Sequence, residues 1–207
     1  MSYFAHHLGE LGAETLTHIG LVAVSLFIGL AIAMPLGVLA ARNAHIRTPL
    51  FGLLSVIYVV PSLAVLAILV QYIGLGPLPV IVVLAAYAQF ILVRSIATAL
   101  RGVPFAATDA ARGLGMSSRQ QFWRVELPLA APVMIGGLRL ATVALIAIAT
   151  LGGYVGAGGL GVHIFLGLQR QYVAETLAGS IPAAVLAIFA DALFRGLERM
   201  VTRRVSG

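Results

Sequence analysis

Residues 108–128 read T-D-A-A-R-G-L-G-M-S-S-R-Q-Q-F-W-R-V-E-L-P, a polar and basic stretch between two long apolar runs. The runs on either side, near 78–100 and 129–151, are each long enough for an α-helix to cross the roughly 30 Å hydrocarbon core of a bilayer. A polar segment enclosed by two such runs is expected to lie outside the hydrocarbon region, as a loop on one face of the membrane. The side of the membrane on which this loop lies therefore determines the orientation of the spans before and after it.

The composition of the whole chain is typical of a membrane protein. Hydrophobic residues make up 60% of the 207 residues and charged residues only 10%, whereas a soluble domain carries about 25% charged residues. The formal charge of +6 would suggest nucleic-acid binding in a soluble protein. Here every basic residue is an arginine, most lie between apolar runs, and we expect them to set orientation in the lipid membrane, with no nucleic-acid partner.

The apolar runs predict an all-α integral membrane protein with about five transmembrane helices in a single domain, 1–207. They lie near 17–41, 50–73, 78–100, 129–151 and 173–194. The N-terminus has no basic segment ahead of an apolar one, so we expect no cleavable signal peptide. Because the chain contains no cysteine, disulfides and thiolate metal sites are excluded.

The arginines predict the orientation of these spans. If the spans alternate, ten arginines fall on one side, in the regions after the first and third spans and at the end of the fifth, whereas only Arg170 falls on the other. Basic residues accumulate in cytoplasmic loops. We therefore expect the N-terminus outside, the C-terminus in the cytoplasm, and a cytoplasmic loop at 102–128.

This 102–128 loop carries the signals of two short helices. Pro104 suits the first position of a helix, where its missing N–H costs nothing, and Gly113 and Gly115 can end that helix. Ser117 and Gln120 have the spacing of a capping box for a second helix. The pattern favours either a connector that lies on the lipid surface or a docking element for a cytoplasmic partner.

The second helix of the loop is predicted to have an apolar side made by Phe122, Trp123, Val125 and Leu127. Leu127 precedes Pro128, and a residue before proline is disfavoured in the helical region. We therefore expect the chain to leave the helix at Leu127 and turn back into the membrane.

The motif D-A-A-x-x-x-G, then nine residues, then V-x-L-P resembles the signature loop of permease subunits of bacterial ATP-binding-cassette (ABC) importers. Asp109 stands where the family pattern has glutamate, and Val125 where it has isoleucine. The residues that match at the expected spacing are Ala110, Ala111, Gly115, Leu127 and Pro128.

The resemblance implies a type I (MetI-like) permease fold in the bacterial inner membrane, whose loop docks into a groove of a separate ATPase subunit. Asp109 would act near the helix start, where negative charge is favoured, and Gly115 would allow the turn between the helices. ATP and Mg would bind that partner, since no G-x-x-x-x-G-K-[ST] phosphate loop is present; this chain would hold no cofactor and would not be an enzyme. The other implied partners are a second permease subunit, identical or homologous, and a separate extracytoplasmic substrate-binding protein.

Other segments resemble the osmoprotectant branch of these importers, which takes up glycine betaine, choline and carnitine. They are P-L-G-V at 35–38, V-P-S-L-A-V at 60–65, G-L-G-P-L-P at 74–79, G-L-R at 137–139 and A-T-L-G-G-Y-V-G-A-G-G-L-G at 149–161. Three alternatives remain: a permease for another solute such as methionine or another amino acid, an ATPase-independent channel or secondary transporter, and a membrane-embedded enzyme. The shortage of intramembrane Asp, Glu and His disfavours the last.

The candidate residues of the translocation path or gate are a proline, a serine and an arginine within the apolar runs and three glycines between the fourth and fifth runs. Pro61 and Ser62 indicate either a broken helix lining the path or a simple packing kink. In the 152–161 run, the candidates Gly156, Gly158 and Gly159 belong either to a gate or external loop, or to a tight re-entrant turn packed by small residues.

Charged and aromatic side chains inside the spans allow further interpretations. Arg139, well inside the fourth span, has either a gating role or a structural partner, or the span begins later. Arg94 lies nearer the inner end, where its side chain can snorkel, and Asp191 and Arg195 can pair on one helix face.

Aromatic rings recognise quaternary ammonium groups, but the tyrosines and phenylalanines show no compact cluster in sequence, and we expect selectivity to lie in the binding protein. The histidines show no spacing that indicates a metal site. The aromatic residues considered are Tyr58, Tyr72, Tyr87, Phe90 and Tyr154.

Overall fold

The computed structural model describes residues 7–206, with side chains through Arg203, and this part of the chain consists of helices and short connections. A π-helical turn, Phe122–Glu126, joins α6 to α7, and a 3₁₀ turn, Thr150–Val155, follows α7. The helices are α1 Leu8–Arg42, α2 Ala44–Val59, α3 Ser62–Ile73, α4 Pro77–Arg101, α5 Phe105–Gly113, α6 Ser118–Gln121, α7 Leu127–Ala149, α8 Gly161–Gln169 and α9 Val173–Ser206.

Five segments of the described chain are suited to crossing a membrane. α1, α4, the rod Ser118–Val155 and α9 are each long and apolar enough, and the bent pair α2 and α3 counts as a fifth span. The predicted all-helical class with about five spans is confirmed. α1 begins at Leu8 and α9 continues to Ser206, so both helices extend beyond the apolar runs that predicted them.

The central helix of the bundle is α4, which packs against α1 and α7. In α4, 61% of an apolar stretch of 18 residues is buried, compared with 28% of such a stretch in α1 and 22% in α9. Glycines bring the helices together: a Cβ added at Gly37 would lie 2.6 Å from Ile96 Cβ, and one at Gly137 only 1.9 Å from Ser95 Oγ. Since lipid offers no hydrophobic drive for helices to associate, close packing over small residues is what holds such a bundle together.

The second span is broken. α2 ends at Val59, α3 begins at Ser62, and the two helices are bent by 85°. Pro61 cannot donate to the helical ladder, and the hydroxyl of Tyr87 on α4 donates to the Val60 carbonyl at the break. The hydroxyl of the neighbouring Ser62 makes no hydrogen bond within the described residues. A buried core tyrosine therefore holds the break in place.

The prediction that the chain leaves the helix at Leu127 was wrong. Leu127 has helical dihedrals, φ −64° and ψ −45°, and its N–H bonds to the carbonyl of Phe122, five residues earlier. A π turn is wider than an α turn, and it delivers Pro128 to the first turn of α7, where a missing N–H is tolerated. The loop and the fourth span consequently form one rod, Ser118–Val155, of 38 residues.

Candidate functional site

The first half of the 102–128 loop is a single short helix that ends at a glycine turn. Pro104 is the residue just before α5, not its first residue. After α5 ends at Gly113, Gly115 takes a φ of +76°, and the Met116 N–H bonds back to the Ala111 carbonyl at 3.1 Å. This positive φ is a conformation that glycine adopts without steric cost, so the predicted turn between the two helices at Gly115 is confirmed.

The second half of the loop starts with the predicted capping box. The Gln120 N–H donates to Ser117 Oγ at 3.3 Å, and the Ser117 N–H donates to Gln120 Oε1 at 2.9 Å. Two of the backbone N–H groups at the helix start that lack an intrahelical acceptor are thereby satisfied. The box fixes the direction in which α6 leaves the turn.

The loop exposes large apolar side chains. Phe105 is 72% exposed, Leu114 77% and Trp123 57%. Asp109 is also exposed, but it is the fifth residue of α5, so its expected place near the helix start was wrong; Pro104 occupies the N-cap. Exposed tryptophan and phenylalanine on a structured loop are typical of an interface that a partner covers.

The other predicted loop residues divide into buried and accessible ones. Ala111 is 3% exposed and packs inward, whereas Ala110 is exposed. The ring of Phe122 meets that of Trp123 edge-on at 5.4 Å between centroids. The side chains that are partly buried are Phe122, Val125 and Leu127, while Pro128 is exposed.

The loop is tied to α1 by a buried carboxylate that the sequence reasoning missed. Glu126, in the π turn, is 4% exposed. One of its oxygens pairs with Arg42 Nη2 at the end of α1, and the other accepts from Gln121 Nε2 at 2.7 Å. A glutamate among apolar residues next to the L-P pair was the available signal, but its partner lies far away in sequence. Glu126 thus joins α1 to the loop.

A polar cavity of about 150 Å³ lies behind this contact. It separates the ends of α1 and α4 from α5 and α6, so the loop is not packed solidly against the bundle. The charged residues that line it are Arg42, Arg101, Arg112 and Glu126. Glu126 and Arg42 both line this cavity, so their ion pair joins the loop to α1 beside it.

Aromatic residues that are dispersed in sequence converge beside the broken span. Tyr58 stacks on Phe90 at 4.4 Å and lies 6.0 Å from Tyr87. The guanidinium of Arg94 lies over two rings: its Cζ is 4.4 Å from the Phe90 ring centroid and 5.1 Å from that of Phe51. Arg94 Nη2 also donates to Ser55 Oγ at 2.7 Å. Arg94 is therefore held by α2 and by the Phe90 ring, and snorkelling of its side chain stays a prediction.

The glycine run at the opposite end of the bundle packs against α1. Gly156, Gly158 and Gly159 all have positive φ. The Gly159 N–H donates to the Glu14 carboxylate, and a Cβ added at Gly159 would lie 3.1 Å from His18 Nδ1. A tight turn packed by small groups, one of the two predicted alternatives, describes this geometry; a gating role stays a prediction.

Arg139 faces two carboxylates on α9. Its Nε lies 3.7 Å from Asp191 Oδ1, and its Nη1 lies 3.8 Å from Glu198 Oε2. Asp191 also pairs with Arg195, four residues along the same helix, as predicted. These two carboxylates are a structural partner for Arg139, which was one of the interpretations of this residue.

A central helix, a broken span and a structured polar loop that is joined to α1 define a multi-pass helical membrane protein of the permease class. Residues 33–207 match the family described as binding-protein-dependent transport system inner membrane component. The chain belongs to this family.

Curated relatives match along nearly the whole chain. It is 37% identical to the choline transport system permease protein OpuBB of Bacillus subtilis over 194 residues, covering 94% of this chain and 89% of that protein. It is 32% identical to the osmoprotectant import permease protein OsmW of Salmonella typhimurium, covering 97% of this chain and 95% of that protein. Among solved structures, a chain of the inward-facing MetNI methionine ABC transporter superposes with a TM-score of 0.81 at 22% identity, covering 94% of this chain and 97% of the other. That likeness confirms the predicted MetI-like fold.

Proposed function

We propose that this chain forms the translocation path of an ATP-driven importer for a small osmoprotectant such as glycine betaine, choline or carnitine. The observation that carries the solute class is the similarity to permeases of that class over nearly the full length. The chain works in the inner membrane with its N-terminus outside and its C-terminus in the cytoplasm, as its arginines favour.

Coupling to ATP hydrolysis runs through the 102–128 loop. The exposed Phe105, Leu114 and Trp123 give a separate ATPase subunit an apolar surface to bind. Movement of that subunit is carried to the membrane by the continuous rod Ser118–Val155 and to α1 by the Glu126–Arg42 ion pair. In this scheme Pro61, Ser62 and the glycines 156, 158 and 159 line or close the path.

Two such permease subunits, identical or homologous, enclose the path between them. The low burial of α1 and α9 leaves wide apolar faces for a second chain and for lipid. A substrate-binding protein delivers the solute from outside. Tyr58, which stacks on Phe90 and is 37% exposed, offers an aromatic ring to a passing trimethylammonium group.

The test is uptake of labelled glycine betaine, choline and carnitine into vesicles that hold this chain with its ATPase and its loaded binding protein. We expect uptake that requires ATP and is lost with a hydrolysis-deficient ATPase and with Gly115→Asp. Uptake that survives loss of the ATPase would establish a channel or secondary transporter. ATP hydrolysis stimulated only by a binding protein loaded with methionine or another amino acid would retain the mechanism and replace the solute.

A further inference from the structure

A charged groove lies between α7 and the last turns of α9, outside the loop that is proposed to receive the ATPase. Its volume is about 460 Å³. α7 contributes a single side chain to its lining, and α9 contributes the rest. The lining residues are Arg139, Arg195, Glu198, Arg199, Thr202 and Arg203.

The groove carries more positive than negative charge. Arg195, Arg199 and Arg203 follow one another at four-residue spacing, so they lie on one face of α9, where like charges repel. Asp191 and Glu198 are both within ion-pair distance of Arg139, and Asp191 also pairs with Arg195. Arg199 and Arg203 have no carboxylate partner among the described residues, so their charge remains to attract an anion.

The length of α9 places this groove at the membrane surface. A helix of 34 residues is about 51 Å long, whereas about 20 residues suffice for the hydrocarbon core. If about 20 residues from Val173 cross the core, Arg195 and Arg199 lie about 3–10 Å beyond it, at or near the lipid headgroups, and Arg203 lies about one turn further out, from where its long side chain can reach back. Phospholipid phosphate is the most concentrated anion at that level.

Apolar side chains on the same turns favour an amphiphile over a soluble anion. Leu193 is 52% exposed, Leu197 37% and Met200 56%. At about 100° per residue these three side chains lie around the helix from the arginine face, so the end of α9 presents a basic face and an apolar face, as a helix at a membrane surface does. A lipid with a negative headgroup has this pairing of chemistries, and basic pockets between transmembrane helices are known to hold such headgroups.

We propose that the groove between α7 and α9 is a binding site for one anionic phospholipid, whose phosphodiester oxygens accept hydrogen bonds from Arg199 and Arg203. Arg139 lies 3.7 Å from Asp191 and 3.8 Å from Glu198, so its positive charge offsets the charges of the two carboxylates beside the headgroup. The proposal requires only that the chain spans a bilayer, which its family establishes, and it is independent of which solute is carried.

The experiment is native mass spectrometry of the complete transporter, released from vesicles of equal phosphatidylglycerol and phosphatidylcholine. We expect the wild type to retain phosphatidylglycerol preferentially. The double variant Arg199→Gln/Arg203→Gln should lose this preference by about fivefold for each arginine, whereas Arg199→Lys/Arg203→Lys should retain most of it. Arg47→Gln, an arginine on α2 outside the groove, is the matched control and should retain it fully.

Each other occupant gives a different result. Unchanged retention of phosphatidylglycerol in the glutamine variant would overturn the site. Inorganic phosphate that binds the delipidated wild type and displaces phosphatidylglycerol would assign the groove to a soluble anion. Loss of the ATPase, or of the second permease chain, from the glutamine variant with unchanged lipid retention would make the groove a protein interface. Unfolding temperatures measured in phosphatidylcholine alone should be equal for all variants; a lower one for the glutamine variant, with lipid preference retained, would mean that the arginines are structural.

Discussion

Glu126 and Arg42 form an ion pair across 84 positions of sequence, and it joins the π turn of the loop to the end of α1. The carboxylate is 4% exposed, whereas 52% of the Arg42 side chain is accessible. The carboxylate is therefore shielded from water, whereas the guanidinium of Arg42 is open to solvent. A displacement of α6 that carries Glu126 along must also act on α1.

Breaking this pair should uncouple ATP hydrolysis from transport. Glu126→Ala leaves Gln121 and Arg42 without their acceptor, and a lost hydrogen bond to a charged group costs roughly 1.5–3 kcal/mol. We expect solute uptake to fall further than ATP hydrolysis does, with Glu126→Gln intermediate because an amide oxygen still accepts. Uptake and hydrolysis are measured in the same vesicles.

A double-mutant cycle separates this pair from a general loss of stability. Arg42→Gln and Glu126→Gln together should differ from the sum of the single variants by about 0.5–3 kcal/mol in free energy of unfolding. Glu10→Gln, an exposed carboxylate in the first turn of α1, controls for the loss of one negative charge and should leave the ratio of uptake to hydrolysis unchanged. Strict additivity in the cycle would contradict a direct interaction.

The turn at Gly115 depends on backbone conformation alone. Its φ is +76°, and a Cβ there would meet nothing within 4 Å. Gly115→Ala should therefore lower stability by about 1–2 kcal/mol, the cost of the left-handed region for a residue with a side chain. Asparagine, which tolerates this region better, should cost less. The measurement is thermal unfolding of the three proteins, together with retention of the ATPase during purification.

Gly113, two residues earlier, is the control for that turn. It is the last residue of α5, it has no positive φ, and its surroundings are equally open. Gly113→Ala should be neutral or stabilise by up to about 1 kcal/mol, since alanine favours helix. Equal losses at both glycines would mean that the conformation of Gly115 is not what the turn requires.

The helices and the turn of the 102–128 loop were predictable because they depend on local signals. Ser117 and Gln120 are three residues apart, and Gly115 needs no distant partner to adopt its conformation. The same local reasoning failed at Leu127, because the rule for residues before proline does not include the wide π turn that accommodates Pro128. Asp109 was misplaced because its position in the motif does not show where the helix begins. α5 starts at Phe105, four residues before Asp109.

Contacts between distant segments were beyond the sequence. Arg94 was interpreted from its depth in a span, but its surroundings are set by Phe51, Ser55 and Phe90, which α2 and α4 bring together. The apolar character of α4 predicted a span but could not show that this helix is the central one. Burial of Glu126 depends in the same way on where α1 ends relative to the loop.

The break in the second span should depend on a single hydroxyl. Tyr87, 4% exposed, donates to the Val60 carbonyl, and Tyr87→Phe leaves this acceptor without its partner at a cost of roughly 1–3 kcal/mol. Tyr72→Phe removes an identical hydroxyl from a side chain that is 83% exposed and should change nothing. Unfolding temperature and uptake are compared for both variants; equal behaviour of the two would show that the hydroxyl of Tyr87 does not hold the break.

Adjacent glycines on α7 should differ sharply in their tolerance of a methyl group. A Cβ at Gly137 would lie 1.9 Å from Ser95 Oγ and 2.3 Å from Ser95 Cβ, whereas one at Gly136 finds nothing closer than Glu198 Oε1 at 3.6 Å. Gly137→Ala must force α7 away from α4, the central helix, and overpacking of this kind costs about 1–3 kcal/mol. Gly136→Ala should be nearly neutral, since 3.6 Å is an ordinary contact. Adding Ser95→Gly to Gly137→Ala removes the clashing atoms and should restore most of the unfolding temperature. If the double variant stayed as unstable as Gly137→Ala, the loss would not arise from the contact between α4 and α7.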